Sequence, residues 1–440
     1  VKVSILEILI GERRIGHLFK FADIVRLSVD PDYANDPTRP LLSLSMRAGD
    51  PERQAAFLMD SLNPALNSLG NGKLPAFFQN LLPEGVLRTH IALERKCDEH
   101  DHFEILAACG GDLPGNVYAL PAHDPGLVSK LVTQRQDALE MSIVADPLED
   151  GTSLSGMQPK LALVRDGGRF VAARHLEGGH VIGKLPTAQY DMLPQVEQLS
   201  LRLASAAGAT VCETSLQPMG LITADHSFVL GRSDQFLAVE RFDRDRPGRL
   251  HAEDFAQVLG IDPGSKYSGG SYADIARVLL AVDGIGEAGV HELVRRIAVA
   301  ELLGNYDFHL KNIGLLHHGD GRMALSPAYD IVAYSVYLSG QGHALPFAAG
   351  LPKRQILDPK TLRAFANAVG VPEAPLRRII KNVCEAALDK WPAMIAGSDI
   401  LQAQKEKLMQ FFMSRPLMES LLTRRQRHQT AKLPPDDAII

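Results

Sequence analysis

The chain opens on an apolar run, Val1 to Ile10, interrupted by Lys2, Ser4 and Glu7. A charged turn, Gly11-Glu12-Arg13-Arg14, separates it from Ile15-Gly16-His17-Leu18-Phe19, and this rhythm predicts strands to about residue 50. From about 51 to 110 the pattern turns helical, with Phe77, Phe78, Leu81 and Leu82 clustered before Pro83-Glu84-Gly85. The stretch Pro121 to Pro125 marks a joint. A second strand-rich block runs from about 150 to 242, with strands at Lys160–Val164, Arg169–Ala172, His180–Leu185 and Phe236–Phe242. Inside it, Val196, Leu199, Leu203 and Ala207 recur at helical spacing and Gly208 stops the helix. After about 250 the chain reads as mostly helical. Apolar stripes run through Val290, Leu293, Val294, Ile297 and Leu302, then Leu376, Ile379, Ile380 and Val383, then residues 401 to 425. The fold class expected is α+β, with two lobes meeting at a cleft: a mixed, sheet-bearing N-terminal lobe with its own extra N-terminal subdomain, and a helical C-terminal lobe. The expected boundaries are 1–123, 124–242 and 243–440.

Composition narrows the classes. A chain of 440 residues is too long for one core, and 45% hydrophobic with 22% charged residues is ordinary for a soluble globular protein. The net charge of −6 argues against nucleic-acid binding through a bulk positive field. Cys97, Cys109, Cys212 and Cys384 lie far apart, with neither CxxC spacing nor a Cys/His cluster, which fits reduced thiols in a cytosol. No apolar run approaches the ~20 residues of a membrane span, so no membrane partner is expected. The start reads as strand and turn rather than a signal peptide, and Val1 as the first residue implies an initiator Met lost or left out of the numbering. A cytoplasmic location follows as the expectation.

The sharpest chemical signal is Asn305-Tyr306-Asp307-Phe308-His309-Leu310-Lys311-Asn312, directly after the helix ending near Leu303. An Asp followed five positions later by an Asn is the spacing of a protein-kinase catalytic loop. The carboxylate orients the proton of an acceptor hydroxyl, and the amide oxygen reaches a magnesium ion. Ile313-Gly314-Leu315-Leu316, a turn at His317 to Gly321, and Met323-Ala324-Leu325 predict a hairpin leading to Ser326-Pro327-Ala328-Tyr329-Asp330. Asp330 would then supply a second hard oxygen ligand for Mg²⁺. The bland alternative makes Asp307 a turn former and Asn312 a cap, but leaves Asp330 unexplained.

Lys184, near the end of a strand, and Glu197, on the next helix, follow the order of a phosphate-binding lysine and its carboxylate partner. Lys184 as a solvated edge residue and Glu197 as an exposed helix charge are the competing readings. Gly178 to Lys184 satisfies G-x-x-x-x-G-K, but Leu185 stands where a P-loop needs Ser or Thr, and Pro186 follows in place of a helix. The P-loop reading is rejected. Gly151 to Lys160, with Ser153, Ser155 and Gly156 before a strand, reads as a surface linker in preference to a phosphate-cradling loop; its two serines are phosphate-acceptor candidates. Glu240-Arg241-Phe242-Asp243-Arg244 is equally open between an adenine-facing crossing and a salt-bridged strand end. His100-Asp101-His102 and His317-His318 lack metal-ligand spacing and are expected at the surface.

Taken in order, five segments resemble the HipA family of bacterial toxin kinases: Phe77 to Gly85 with Arg88, Ser153 to Lys160, Ala238 to Arg244, Asp307 to Asn312, and Pro327 to Asp330. The resemblance covers nearly the whole chain. It implies a kinase-like bilobal fold, with Asp307 as catalytic aspartate and Asn312 and Asp330 as Mg²⁺ ligands. ATP would lie among Ser155, Gly156, Met157, Gln158, Pro159, Lys160, Lys184, Glu240, Arg241, Phe242, His309, Leu310, Lys311, Asn312, Tyr329 and Asp330. Ser153 is similar to the serine that family members autophosphorylate to inactivate themselves. The resemblance also implies a HipB-like helix-turn-helix antitoxin, operator DNA reached through that antitoxin, and an aminoacyl-tRNA synthetase as target, often the glutamyl enzyme. Tyr306 and Phe308 around the aspartate, and Met157-Gln158-Pro159 in the loop, depart from the usual pattern. A pseudokinase acting as co-repressor is the alternative, disfavoured because Lys184, Asp307, Asn312 and Asp330 are all present. A small-molecule kinase is weaker still.

Overall fold

The structure is a computed structural model that describes residues 2–68, 70, 72–122, 140–141, 158–173, 179–224, 228, 230–244, 248–340, 342–419 and 421. The chain forms two compact units from interleaved stretches. One takes Val1–Pro194, Glu213–Gly269 and Ile313–Ser326; the other takes Gln195–Cys212, Gly270–Asn312 and Pro327–Ile440. Strands and helices are both abundant, so the α+β class read from the sequence is the class observed.

In the first unit, β1 (Lys2–Ile10), β2 (Arg13–Phe21), β3 (Ile24–Val29) and β4 (Val117–Pro121) pair antiparallel in the order β3-β2-β1-β4, and β5 (Glu140–Met141) runs parallel to β1. Alternate side chains of β1 (Leu6, Ile8, Ile10) and β3 (Val25, Leu27, Val29) enter one core, as a period of two requires. The strands expected to residue 50 stop at Val29. Pro31, with its fixed φ and no N–H, suits the first turn of the short helix α1 (Pro31–Asn35), and two 3₁₀ turns then lead to α2 (Gln54–Met59). Helices α3 (Ala76–Leu81), α4 (Gly85–Arg95) and α5 (His102–Cys109) fill the stretch predicted helical, and bury Phe77, Phe78, Leu81 and Phe103 in the same core. The chain leaving α5 lies directly on β4: a Cβ on Gly110 would sit 1.8 Å from the Ala119 carbonyl oxygen.

The same unit holds a second antiparallel sheet, β7-β6-β8-β10-β9, made of β6 (Lys160–Asp166), β7 (Arg169–Ala172), β8 (Val181–Lys184), β9 (Thr214–Pro218) and β10 (Gln235–Glu240). Its small core includes Leu163, Val181, and the edge-to-face pair Phe170 and Phe236. Beyond residue 250, where helices were expected, β11 (His251–Asp254) joins the predicted hairpin of β12 (Gly314–His317) and β13 (Met323–Leu325). Four residues carry too little periodicity to announce such a strand; pairing with β12 decides it. Asp254 then caps α7 (Phe255–Val258) in a reciprocal box with Gln257.

The second unit is helical. It takes α6 (Leu193–Ala206) from Gln195 onward, α8 (Tyr272–Ala281), α9 (Gly286–Leu303), α10 (Pro359–Val369), α11 (Glu373–Ala396) and α12 (Gln402–Met413). Helix α9 is its centre, packed on α8, α11 and α12, and its predicted stripe of Val290, Leu293, Val294, Ile297 and Leu302 is buried. The third predicted stripe is not one helix from 401 to 425. Helix α12 ends at Met413, because the chain turns at Ser414 and Arg415 ahead of Pro416. The single tryptophan, Trp391, is buried and donates from Nε1 to the Leu203 carbonyl at 2.9 Å. Among the described residues, no helix is long and apolar enough to cross a membrane.

Candidate active site

The loop after α9 is shaped by its own backbone. Gly304 ends the helix at φ 65, and a Cβ there would meet Ser335 Cβ at 2.8 Å and the Phe411 ring at 3.0 Å, so glycine is required twice over. Asn305 Oδ1 then accepts from the Asp307 N–H at 3.3 Å, and the Asp307 carbonyl accepts from the His309 N–H at 2.9 Å. A 3₁₀ turn, Leu310–Asn312, follows and carries Asn312 back over Asp307. The Asn312 Nδ2 donates to the Asp307 carbonyl at 2.8 Å. An amide held by its nitrogen turns its oxygen the other way, so Asn312 Oδ1 is presented as an acceptor. The Asp307 side chain is 36% exposed, and the buried His309 places Nε2 3.8 Å from its Oδ1.

The returning segment is fixed to this loop. Ala328 is threaded between Thr210 and Cys212: its N–H donates to the Thr210 carbonyl at 2.8 Å, and its carbonyl accepts from the Cys212 N–H at 3.0 Å. Tyr329 Oη donates to the Lys311 carbonyl at 2.8 Å, which sets the neighbours of Asp330 and Asn312 side by side. Asp330 has φ 53, a left-handed conformation that costs an L-residue about 1 kcal/mol and gathers at functional sites. These residues all belong to the helical unit. Asn312 and Asp330 offer two hard oxygen donors of the kind Mg²⁺ takes when substrate phosphates supply the rest. Among the described residues, no group of three or more His, Cys, Asp or Glu could hold a metal ion by itself.

On the five-stranded sheet of the other unit, Lys160 of β6 and Lys184 of β8 are direct cross-strand partners, 6% and 5% exposed. Paired residues project from the same face, so both buried lysines lie on one side of the sheet. Lys184 is thus not a solvated edge residue; β8 is the middle strand. Glu197 of α6 is not an exposed helix charge either, being 1% exposed. Gln158 and Pro159 lead into β6, with Gln158 Nε2 donating to the Leu185 carbonyl and the Pro159 carbonyl accepting from the Leu185 N–H, both at 2.9 Å. No helix opens at Leu185, in keeping with the rejected P-loop. Ser153, Ser155, Gly156 and Met157 lie outside the described residues.

The 240–242 stretch ends β10 with two of its N–H groups engaged, Glu240 to the Glu213 carbonyl and Arg241 to the His180 carbonyl, each at 2.9 Å. The Glu240 carboxylate pairs with Arg165. The Arg241 side chain is buried in an ion cluster that sequence reasoning missed. It contacts Asp112 at 3.2 Å and Asp243 at 3.0 Å, while Arg244 reaches the same two carboxylates at 2.8 and 2.7 Å and Arg249 reaches Asp112 at 3.7 Å. Burial opposes ionisation of Asp112, but Arg241, Arg244 and Arg249 outweigh it and hold its pKa at about 2. The charge pattern Arg241-x-Asp243-Arg244 was legible; its partner 130 residues upstream was not.

Of the four histidines expected at the surface, His100 is exposed while His102, His317 and His318 are partly buried. His317 Nε2 lies 2.8 Å from Oε1 of the buried Glu253, whose Oε2 accepts from Ser43 Oγ at 2.7 Å. The His251 ring packs against His317 at a tilt of 47° with centroids 4.8 Å apart, and burial, then His317, pushes its pKa down to about 4. Burial, then Arg88, lowers His102 to about 4 as well.

Comparison with known proteins agrees with this architecture. Residues 6–120 match the HipA N-terminal domain and residues 152–391 the HipA-like C-terminal domain. The Sinorhizobium fredii protein named "Putative kinase Y4dM" is 33% identical over 353 residues, spanning 78% of this chain and 80% of its own. A second protein of that organism, Y4mE, is 28% identical over 362 residues, spanning 76% and 82%. HipA of Shewanella oneidensis MR-1, solved with HipB and its operator DNA, superposes with a TM-score of 0.67 at 21% identity, covering 98% of this chain and 100% of that one, which establishes a common fold. With both of its domains matched in order and a curated relative aligned over most of its length, the chain belongs to the HipA family.

Proposed function

We propose that this protein is an ATP- and Mg²⁺-dependent serine/threonine protein kinase, the toxin of a HipA/HipB-type toxin–antitoxin pair. The observation that carries the reading is the hydrogen bond from Asn312 Nδ2 to the Asp307 carbonyl, which turns the amide oxygen outward beside the segment bearing Asp330. Asp307 orients the acceptor hydroxyl and takes its proton; Asn312 Oδ1 and the Asp330 carboxylate hold Mg²⁺. When bound, the metal neutralises charge on the phosphates during transfer. Lys160 and Lys184 bind phosphate oxygens, with Glu197 as the carboxylate partner of Lys184. His309, Leu310, Lys311 and Tyr329 border the nucleotide, as do Ser155 to Pro159, and Glu240, Arg241 and Phe242 meet the base through the main chain. The three-part organisation 1–123, 124–242 and 243–440 belongs to the same reading.

The acceptor is a protein serine, the target class an aminoacyl-tRNA synthetase, and Ser153 a site of autophosphorylation that inactivates the kinase in the cytoplasm. A HipB-like antitoxin would restrain it and link it to operator DNA. Names carried by relatives support the kinase reading, and the solved complex of Shewanella HipA with HipB and DNA supports the partner. The test is incorporation of the ATP γ-phosphate by wild type and by Asp307→Gln. Loss in the variant is expected, and undiminished incorporation would overturn the assignment. Phosphoproteomics after brief expression would name the target.

A further inference from the structure

The helical unit holds a cavity of about 410 Å³ that neither the metal ligands nor the nucleotide residues line. Its walls include Tyr306, Gly340, Arg354, Phe411 and Arg415, over a floor made by Glu301. The floor carboxylate is 2% exposed and saturated. Its Oε1 accepts from Arg415 through both Nε, at 2.8 Å, and Nη2, while Oε2 accepts from the Leu357 N–H at 2.9 Å and lies 2.9 Å from His343 Nε2. Glu301 therefore acts as an anchor and has no acceptor capacity left for a cation. Counting Arg354 and Arg415 against Glu301, the charged lining sums to +1.

Three further features turn this space toward a ligand. The Tyr306 hydroxyl is a buried atom with no hydrogen-bond partner, an arrangement that costs about 1–3 kcal/mol unless something fills it. It faces Gly340, where a Cβ would stand 2.9 Å from Oη and 3.5 Å from the Phe411 ring, so the missing side chain keeps the space open. Arg354 is held at φ 62, and Gly342 lets the chain pass beneath it, since a Cβ there would lie 2.2 Å from the Arg354 carbonyl. Strain of this kind persists where the surroundings over-determine it. The Phe411 ring, with the Arg415 guanidinium 4.9 Å from its centroid, adds an apolar wall.

We propose that this cavity is a binding site for a small organic anion, its carboxylate held by Arg354 and the Tyr306 hydroxyl and its apolar part against Phe411. Such a site is separate from the phosphoryl-transfer reading and stands without it. The test is isothermal titration of the full chain with sodium benzoate, with neutral benzamide and inorganic phosphate as comparison probes. Benzoate is expected to bind one per chain, with benzamide and phosphate each at least about tenfold weaker. Tyr306→Phe, which keeps the ring, should weaken benzoate about tenfold, and Gly340→Val should abolish binding. A saturating non-hydrolysable ATP analogue should leave the isotherm unchanged. No benzoate binding, equal binding of either comparison probe, displacement by the ATP analogue, or wild-type affinity in both variants would each overturn the proposal.

Discussion

Replacing Asp112 with Asn removes one of two carboxylates from a buried group containing three guanidiniums, Arg241, Arg244 and Arg249. The cluster then holds three positive charges against Asp243 alone. Two routes bound the cost. The gap between an ordinary 3.8 and about 2 for Asp112, at about 1.4 kcal/mol per tenfold, gives about 2 kcal/mol for merely protonating it. Removing one partner of a buried ion pair costs about 3–5 kcal/mol, because the remaining charges stay buried. Asparagine also turns an acceptor into an amide that presents N–H groups to the guanidiniums, so the loss expected is about 3 kcal/mol. For a unit of this size that lowers the melting temperature by roughly 8 °C. Far-UV circular dichroism is the assay, since Trp391 lies in the other unit and its fluorescence would report on the wrong transition. Asp112→Leu combined with Arg241→Met, which removes one charge of each sign, should recover part of the loss. A melting temperature within ~2 °C of wild type for Asp112→Asn would refute the idea that this cluster holds the end of β10.

The same carboxyl predicts an acid limb: its contribution is complete above pH 3.8 and disappears as pH falls toward about 2, which acid titration of the circular dichroism signal would follow. His251 acts earlier. Its folded pKa, about 4, lies below the ordinary 6.5, so stability is full above 6.5 and declines as pH drops toward 4, by up to about 3 kcal/mol, measured as melts between pH 7 and pH 4. Lys184→Met should weaken a fluorescent ATP analogue at least about tenfold by equilibrium titration, and unaltered affinity would remove this lysine from the phosphate site. Gly110→Ala drives a methyl group to 1.8 Å from the Ala119 carbonyl oxygen, so chemical denaturation should show a loss of about 2 kcal/mol or more as α5 and β4 separate.

Several local elements follow from residues close together in the chain. The hairpin of β12 and β13, the stop of α9 at Gly304 and the capped helices are set by turn glycines, caps and apolar stripes spanning a few positions. The spacing from Asp307 to Asn312 belongs to the same class, since one 3₁₀ turn closes it and one side-chain hydrogen bond locks it. Periodicity, capping and spacing act over short distances, and a single sequence exposes them directly.

What required the folded chain was every feature joining residues far apart. No local pattern ties Asp112 to Arg241, or Ser43 to Glu253 and His317; only burial makes those pairings energetically obligatory, because an unpaired charge in the interior costs far more than one in water. The fate of Lys184 and Glu197 was open for the same reason: exposure is a property of the packed surface, and both proved buried. Strand β11, four residues long, exists because β12 lies beside it, and the cavity at Tyr306 exists because Gly340 approaches from another part of the chain. Local sequence thus determined most helices, the β12–β13 hairpin and the spacing of the candidate residues. Tertiary packing decided which charges face each other, since desolvation is felt only once distant segments exclude water together.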